Sequence, residues 1–329
     1  MPYLPNWLDK FIFGTLGAIY RPDYQKFEYN LELSGEDLQI YLGTYFPRSY
    51  AEAFCIYDNL FENTTLHSKI SEKQKITILN IGCGSGGDLL GLFVALSKHF
   101  PQLQDIKVIA IDGHSGALSL LEQIVYEFQV NTRKRIALVP VCAKVTDKKP
   151  YPTIDISNFD FVLSCKMISE LISRGKGRND NLYFDMLNYY SPMLDDSGLF
   201  LLLDVTTKPK HNVFYPYLLN QQVGAFVRAH AEFRTLLPLP CSFFERKCLQ
   251  GCFSQGQFEV SCKGRDRIFS KVAYRIVGRK AFVDLINGNE CNKEYAFPIM
   301  SESGLDYRQC QHSSVRGSCF DAYALQNNR

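Results

Sequence analysis

The segment Ile78-Leu79-Asn80-Ile81-Gly82-Cys83-Gly84-Ser85-Gly86-Gly87-Asp88 constrains this chain more than any other. An apolar run enters it and a helical pattern leaves it, because Leu89, Leu92, Phe93 and Leu96 fall at i, i+3, i+4 and i+7. Glycines permit a tight turn and a close backbone approach, and the first amides of the helix face whatever polar group fills that turn. Strand, glycine turn and helix in this order predict a nucleotide-like ligand at the turn.

The same alternation continues along the chain. Apolar runs Ile76–Ile81, Val108–Ile111, Ile136–Val141, Phe159–Leu163 and Leu199–Val205 read as buried strands, with helix-like segments between most of them. This predicts an α/β fold with a doubly wound, parallel, Rossmann-like sheet. Ser34-Gly35-Glu36-Asp37 reads as a helix start, and Tyr50, Ala51, Ala53, Phe54, Tyr57 and Leu60 recur at helical spacing. Four regions are expected: N-terminal helices over 1–65, a ligand-binding domain over 66–207, a cysteine-rich lobe with the final strands over 208–295, and a tail over 296–329. In the third, Lys271–Val277 and Ala281–Ile286, separated by Gly278-Arg279-Lys280, are expected to form an antiparallel pair.

Composition excludes several classes. With 46% hydrophobic residues among 329, the chain can bury a core, so disorder, collagen and a disulfide mini-scaffold are ruled out. The net charge of +2 means that an anionic partner must be held by a local patch. No apolar run approaches the roughly 18 residues of a membrane helix. The stretch from Phe11 to Tyr20 lacks a basic leader and does not read as a secretory signal. Eleven cysteines, an odd count, fit reduced thiols and a cytoplasmic location. Cys55, Cys83, Cys142 and Cys165 are expected to be packing residues in or beside the sheet, while Cys310 and Cys319 have no assignment. His67, His99, His114, His211, His230 and His312 show no ligand spacing.

Gly82, Gly84 and Gly87 also satisfy the dinucleotide fingerprint, so the flanks must choose the cofactor. The string resembles motif I of class I S-adenosylmethionine (SAM)-dependent methyltransferases. That resemblance implies that Gly82, Gly84 and Gly86 receive the methionine end of SAM, with Asn80 in the place of the commoner acid. Asp112, ending Val108-Ile109-Ala110-Ile111-Asp112, is similar to motif II, whose carboxylate takes the ribose hydroxyls. Phe159–Ser164 with Met167-Ile168-Ser169-Glu170-Leu171 resembles the fourth strand and the helix after it, which adds Ser164 to the cofactor site and makes Glu170 a candidate polar neighbour. Leu194-Asp195-Asp196-Ser197-Gly198 resembles the turn before the fifth strand. No catalytic residue is identifiable, because methyl transfer from a sulfonium is mainly a matter of orienting a nucleophile.

Cys241, Cys248, Cys252 and Cys291 have six, three and 38 residues between them, with Cys262 inside the last interval. Four soft ligands in one lobe fit an iron-sulfur cluster or zinc, against the alternative of ordinary thiols. With Tyr45–Ala51, Ser164–Leu171, Pro240-Cys241, Cys252–Gln255 and Tyr274-Arg275-Ile276, they resemble the mitochondrial ribosomal small-subunit methyltransferase-like family and its bacterial relatives. The resemblance implies a four-iron four-sulfur cluster on those four cysteines. It departs at Cys241-Ser242-Phe243 and Cys252-Phe253, where the family has Cys-Pro-His and Cys-His-Phe. Seven basic residues against one acid between Lys263 and Lys280 form the clearest anion-facing feature. As a strand, this stretch would put Arg267, Lys271 and Arg275 on one face, suited to phosphates. The expected function is methyl transfer to RNA of or around the small ribosomal subunit. A non-catalytic SAM-binding assembly factor and a small-molecule methyltransferase are the alternatives.

Overall fold

The computed structural model describes residues 4–22, 31–147, 151–174, 181–206, 215–237, 255–290 and 306–307. Helix α1 (Asn6–Asp9) runs into a π-helical turn over Lys10–Thr15, and α2 (Gly35–Leu60) and α3 (Thr64–Ser71) follow. The alternating part is β1 (Lys75–Ile81), α4 (Gly87–His99), β2 (Asp105–Asp112), α5 (Ser115–Thr132), β3 (Arg135–Cys142), β4 (Phe159–Cys165), α6 (Met167–Arg174), α7 (Leu182–Tyr190) and β5 (Leu194–Val205). Then come α8 (Tyr215–Ala229), β6 (Phe233–Leu237), β7 (Gln255–Cys262), β8 (Arg265–Arg279), α9 (Lys280–Glu290) and β9 (Asp306–Tyr307). Among the described residues no helix is long and apolar enough to cross a membrane.

These strands form one sheet in the order β3-β2-β1-β4-β5-β8-β7-β9, with β6 pairing β8 off that path. β1 to β5 run parallel, while β8 is antiparallel to β5, β6 and β7. The expected doubly wound sheet is present, and each strand serves two cores by its period of two. Ile76, Ile78, Val108, Phe161 and Leu201 face the layer built from α1, α2, α4 and α5. Leu79, Ile81, Ile109, Val162 and Leu202 face the layer of α6, α7 and α8. Burial on both faces is why these strands read as continuous apolar runs.

α2 begins after Ser34, as its sequence predicts, and its backbone comes very close to α4. A Cβ on Gly87 would lie 2.6 Å from the carbonyl oxygen of Phe46, and one on Gly91 2.5 Å from that of Tyr50. Only glycine admits this approach at successive turns, and it fixes where the N-terminal end of α2 lies over the glycine turn.

Four expectations change. Ala281–Ile286 belongs to α9 rather than to a strand: Phe282, Val283 and Ile286 are buried while Leu285 is exposed, which is a helical pattern. β8 instead pairs antiparallel with β7, as it does with β5 and β6. Leu194–Gly198 is an irregularity inside β5, since Phe159 pairs with Leu194 but Phe161 with Leu199. The basic face of β8 breaks up: Arg267 is exposed and paired with Glu259 at 2.6 Å, whereas Arg275 is fully buried, its Nε donating to Asn220 Oδ1 of α8 at 3.0 Å. α8 covers that end of β8, so alternation no longer separates core from solvent. Cys55 and Cys83 are buried packing residues, but Cys142 is exposed because β3 is the edge of the sheet.

Candidate functional site

The strand order reverses between β1 and β4, the switch point at which an open α/β sheet leaves a crevice beyond its carboxyl ends. β1 delivers Gly82–Gly86 to that crevice. Gly82, Gly84 and Gly86 have φ of 71°, 50° and 79°, left-handed values that a side chain would strain. The amides of Gly82 and Cys83 donate to the Ile111 carbonyl at 2.8 and 3.1 Å, tying the turn to the end of β2.

Asp112 completes the tie. Its Oδ2 accepts from the Gly84 amide at 2.7 Å and its Oδ1 from the His114 amide at 2.8 Å. Burial pushes its carboxyl above the usual range, and these amides pull it back. A carboxylate offers about four acceptor positions, so two amides leave capacity for hydroxyls, and Asp112 is only half-buried.

Asn80 is fully buried on the α4 side of β1, where its Nδ2 donates to Asp88 Oδ2 at 3.0 Å. Burial pushes the Asp88 carboxyl up to about 6 against the hydrogen bonds from Asn80 and the Leu89 amide. Ser164, paired with Ile81 across β1 and β4, is buried at the crevice end of its strand. Asn80 Oδ1 and Ser164 Oγ are buried with no hydrogen-bond partner among the described residues. Unsatisfied buried acceptors and donors of this kind are costly, and their place beside a glycine turn fits a polar ligand. Glu170 stands in the first turn of α6, three residues after Met167, whose side chain would meet a Cβ on Gly82 at 2.7 Å. Three-residue spacing puts both on one face of the helix.

Three features escape the sequence reading. Tyr41 of α2 reaches over the turn: a Cβ on Gly84 would lie 2.5 Å from its hydroxyl. His114 caps α5, its Nδ1 accepting from the Ala117 amide at 3.0 Å, which leaves Nε2 buried without a partner among the described residues. Lys166, directly after β4, has φ 63° and pairs with the buried Glu52 of α2 at 2.6 Å. The candidate metal ligands Cys241, Cys248, Cys252 and Cys291 lie outside the described residues. Among those described, no group of three or more His, Cys, Asp or Glu could hold a metal ion.

The crevice, its glycine turn and the acid ending β2 make a doubly wound, Rossmann-like sheet with a candidate cofactor site at its switch point. No family model matches the sequence, and no curated protein is similar to it at the sequence level. Solved structures give distant likenesses. A plantazolicin methyltransferase in complex with a monoazolic desmethyl analogue and SAH is 12% identical, with TM-score 0.42, over 83% of this chain and 94% of its own. A putative RNA methyltransferase from Pyrococcus horikoshii is 11% identical, with TM-score 0.39, over 80% and 92%. A putative class I methyltransferase from Listeria monocytogenes is 12% identical, with TM-score 0.40, over 76% and 70%. The assignment of the fold rests on strand order and not on these scores.

Proposed function

We propose that this chain is a SAM-dependent methyltransferase acting on RNA of or around the small ribosomal subunit. The observation that carries the cofactor is the Gly84 amide held on Asp112 Oδ2 at 2.7 Å, which joins the turn of β1 to the acid of β2. Charge favours SAM over a dinucleotide. Asp88 stands in the first turn of α4, where a pyrophosphate would sit, and Glu170 stands in the first turn of α6 beside the same glycine turn. Carboxylates there repel a pyrophosphate and attract a ligand carrying a sulfonium and an ammonium.

In this reading Gly82, Gly84 and Gly86 lie under the methionine end, Asp112 accepts from the ribose hydroxyls, and Ser164 supplies a polar contact at the end of β4. SAM brings a methyl group already activated by its sulfonium. The protein's part is to hold a nucleophile in line with that methyl group, worth several powers of ten without an acid or base. The RNA acceptor and the cytoplasmic location are inferred from sequence, the acceptor from the family resemblance. Incubation with methyl-labelled SAM and separated RNA, protein and small-molecule fractions tests the acceptor. Label in small-subunit RNA is expected, label only in another fraction overturns the acceptor, and cofactor binding without label anywhere identifies a non-catalytic factor.

The same resemblance extends the proposal to an iron-sulfur cluster on Cys241, Cys248, Cys252 and Cys291. Anaerobically purified protein is then brown with about four irons per chain, and Cys262→Ser, at the buried end of β7, leaves the iron in place. Stoichiometric zinc, or no metal, contradicts the cluster.

A further inference from the structure

We propose that the β7–β8 hairpin is a docking surface for an unpaired stretch of RNA, with Phe269 stacking on a base and Arg267 binding a neighbouring phosphate. This rests on the proposed methyl transfer to RNA and names the surface that receives the acceptor. The sheet register carries the hairpin to the crevice side. β5 ends at Val205, which pairs with Val272, so residues 265–271 continue past the carboxyl end of β5 by about 20 Å. That is the side on which an open α/β sheet takes its ligands. The back of the hairpin is fixed. The Ser261 carbonyl accepts from the Leu4 amide at 3.3 Å, and the Lys263 amide donates to Asp9 Oδ1 at 2.8 Å. Ser270 Oγ donates to Glu52, whose carboxylate also takes Lys166, the first residue after β4. Phe269 therefore stands one residue from a side chain that is tied to the rim of the crevice.

The front of the hairpin is open. By alternation Phe269 shares a face with Ala273 and Arg275, both buried on the side of α6, α7 and α8, but at Phe269 that cover has ended and the ring is 52% exposed. Arg267, two residues earlier on the same face, lays its guanidinium over the ring at 5.5 Å from the centroid. Glu259, the cross-strand partner of Phe269, holds that guanidinium in a fork, with Nε donating to Oε1 at 2.6 Å and Nη2 to Oε2 at 3.4 Å. A guanidinium has five N–H donors, of which the fork uses two and leaves three for a phosphate. Lys263 and Arg265 add exposed charge at the tip, against Asp266. An exposed ring with a cation fixed beside it suits a single strand, in which every base offers a face to stack and every nucleotide a phosphate. Pairing hides that face, so a duplex gains less. A peptide of acidic residues meets Arg267 and leaves the ring unused.

Fluorescence anisotropy on the full chain, without cofactor, tests this with a short single-stranded RNA of mixed sequence, the duplex of the same sequence, and poly-glutamate. Wild type is expected to prefer the single strand. Phe269→Ala should weaken that binding about five- to hundredfold, while Phe269→Trp, which keeps a stacking face, should retain it. Arg267→Gln should make the dependence of log affinity on log salt shallower by about 0.7, the loss of one phosphate contact on a single strand. Phe269→Ala should leave that slope unchanged, and Tyr126→Ala, which removes an exposed ring on α5, should change neither quantity. Folded Phe269→Ala protein that binds the single strand as wild type does, equal binding of the duplex, or preference for poly-glutamate overturns the inference. Calorimetric titration of the same preparations with SAM keeps the two readings apart. Strand binding that depends on Phe269 without SAM binding upholds the surface and contradicts methyl transfer, whereas SAM binding without a preference for the strand overturns the surface alone.

Discussion

The Gly84 amide donates to Asp112 Oδ2 across 2.7 Å, while the other oxygen of the same carboxylate accepts from His114 at 2.8 Å. One side chain thus sets the shape of the β1–α4 turn and the start of α5 while presenting its remaining acceptor positions to the crevice. Asp112→Ala removes all of these at once. It should weaken SAH binding by about 1–3 kcal/mol and lower the unfolding midpoint as well. Asp112→Asn, which keeps one acceptor oxygen, should fall between. Calorimetry and thermal unfolding on both variants separate the two effects.

The close approach of α2 to α4 predicts a defect of a different kind. A Cβ on Gly91 would press on the carbonyl of Tyr50 and the amide of Phe54, at 2.5 and 2.7 Å, and backbone cannot swing aside. Gly91→Ala should therefore cost about 1–3 kcal/mol of stability by overpacking. Gly91 lies more than a turn beyond Gly87, so denaturant unfolding should register the loss more strongly than SAH affinity does.

Asp88 gives stability a pH dependence whose sign follows from burial. Its folded carboxyl titrates near 6, above the roughly 3.9 of an unfolded aspartate. The folded state then binds the proton more tightly, so its contribution is full below about pH 4 and is lost as pH rises through 6. Relative to Asp88→Asn, the wild type should lose about 2–3 kcal/mol between those limits. Parallel stability curves for the two proteins across that range would contradict the burial argument.

Lys166 holds a left-handed backbone, with φ 63°, and its ammonium binds Glu52 at 2.6 Å; the Ser270 hydroxyl also bonds that carboxylate. Glu52 is almost fully buried and Lys166 is partly open to solvent. Glu52→Ala leaves the ammonium without that partner and should destabilise the protein by about 2–3 kcal/mol, below the range for a wholly buried pair. Lys166→Met together with Glu52→Leu should recover part of that loss. A double-mutant cycle with no coupling contradicts a fixed pair.

What sequence could foresee here follows sequence distance. The glycine turn, the acid of β2 and the five parallel strands are each written in about a dozen consecutive residues, and periodicity finds them. Tyr41 meets Gly84, and Glu52 meets Lys166, across 43 and 114 positions, and no local pattern announces either. His114 looks like an isolated histidine until α5 is seen to start at Ser115. By alternation Arg275 belongs to an open face, but alternation assigns faces without saying what covers them, and α8 covers this one. The sequence of α9 also reads as a strand, because a short apolar run of six residues suits either period.

The central claim is the cofactor, and titration of the wild-type chain with SAM, SAH and NAD, repeated on Asp112→Ala, tests it most directly. Saturable one-to-one binding of SAM and SAH is predicted, with no binding of NAD and a clear loss of affinity in the variant. Saturable NAD binding without SAM binding, or SAM binding untouched by Asp112→Ala, would contradict the account.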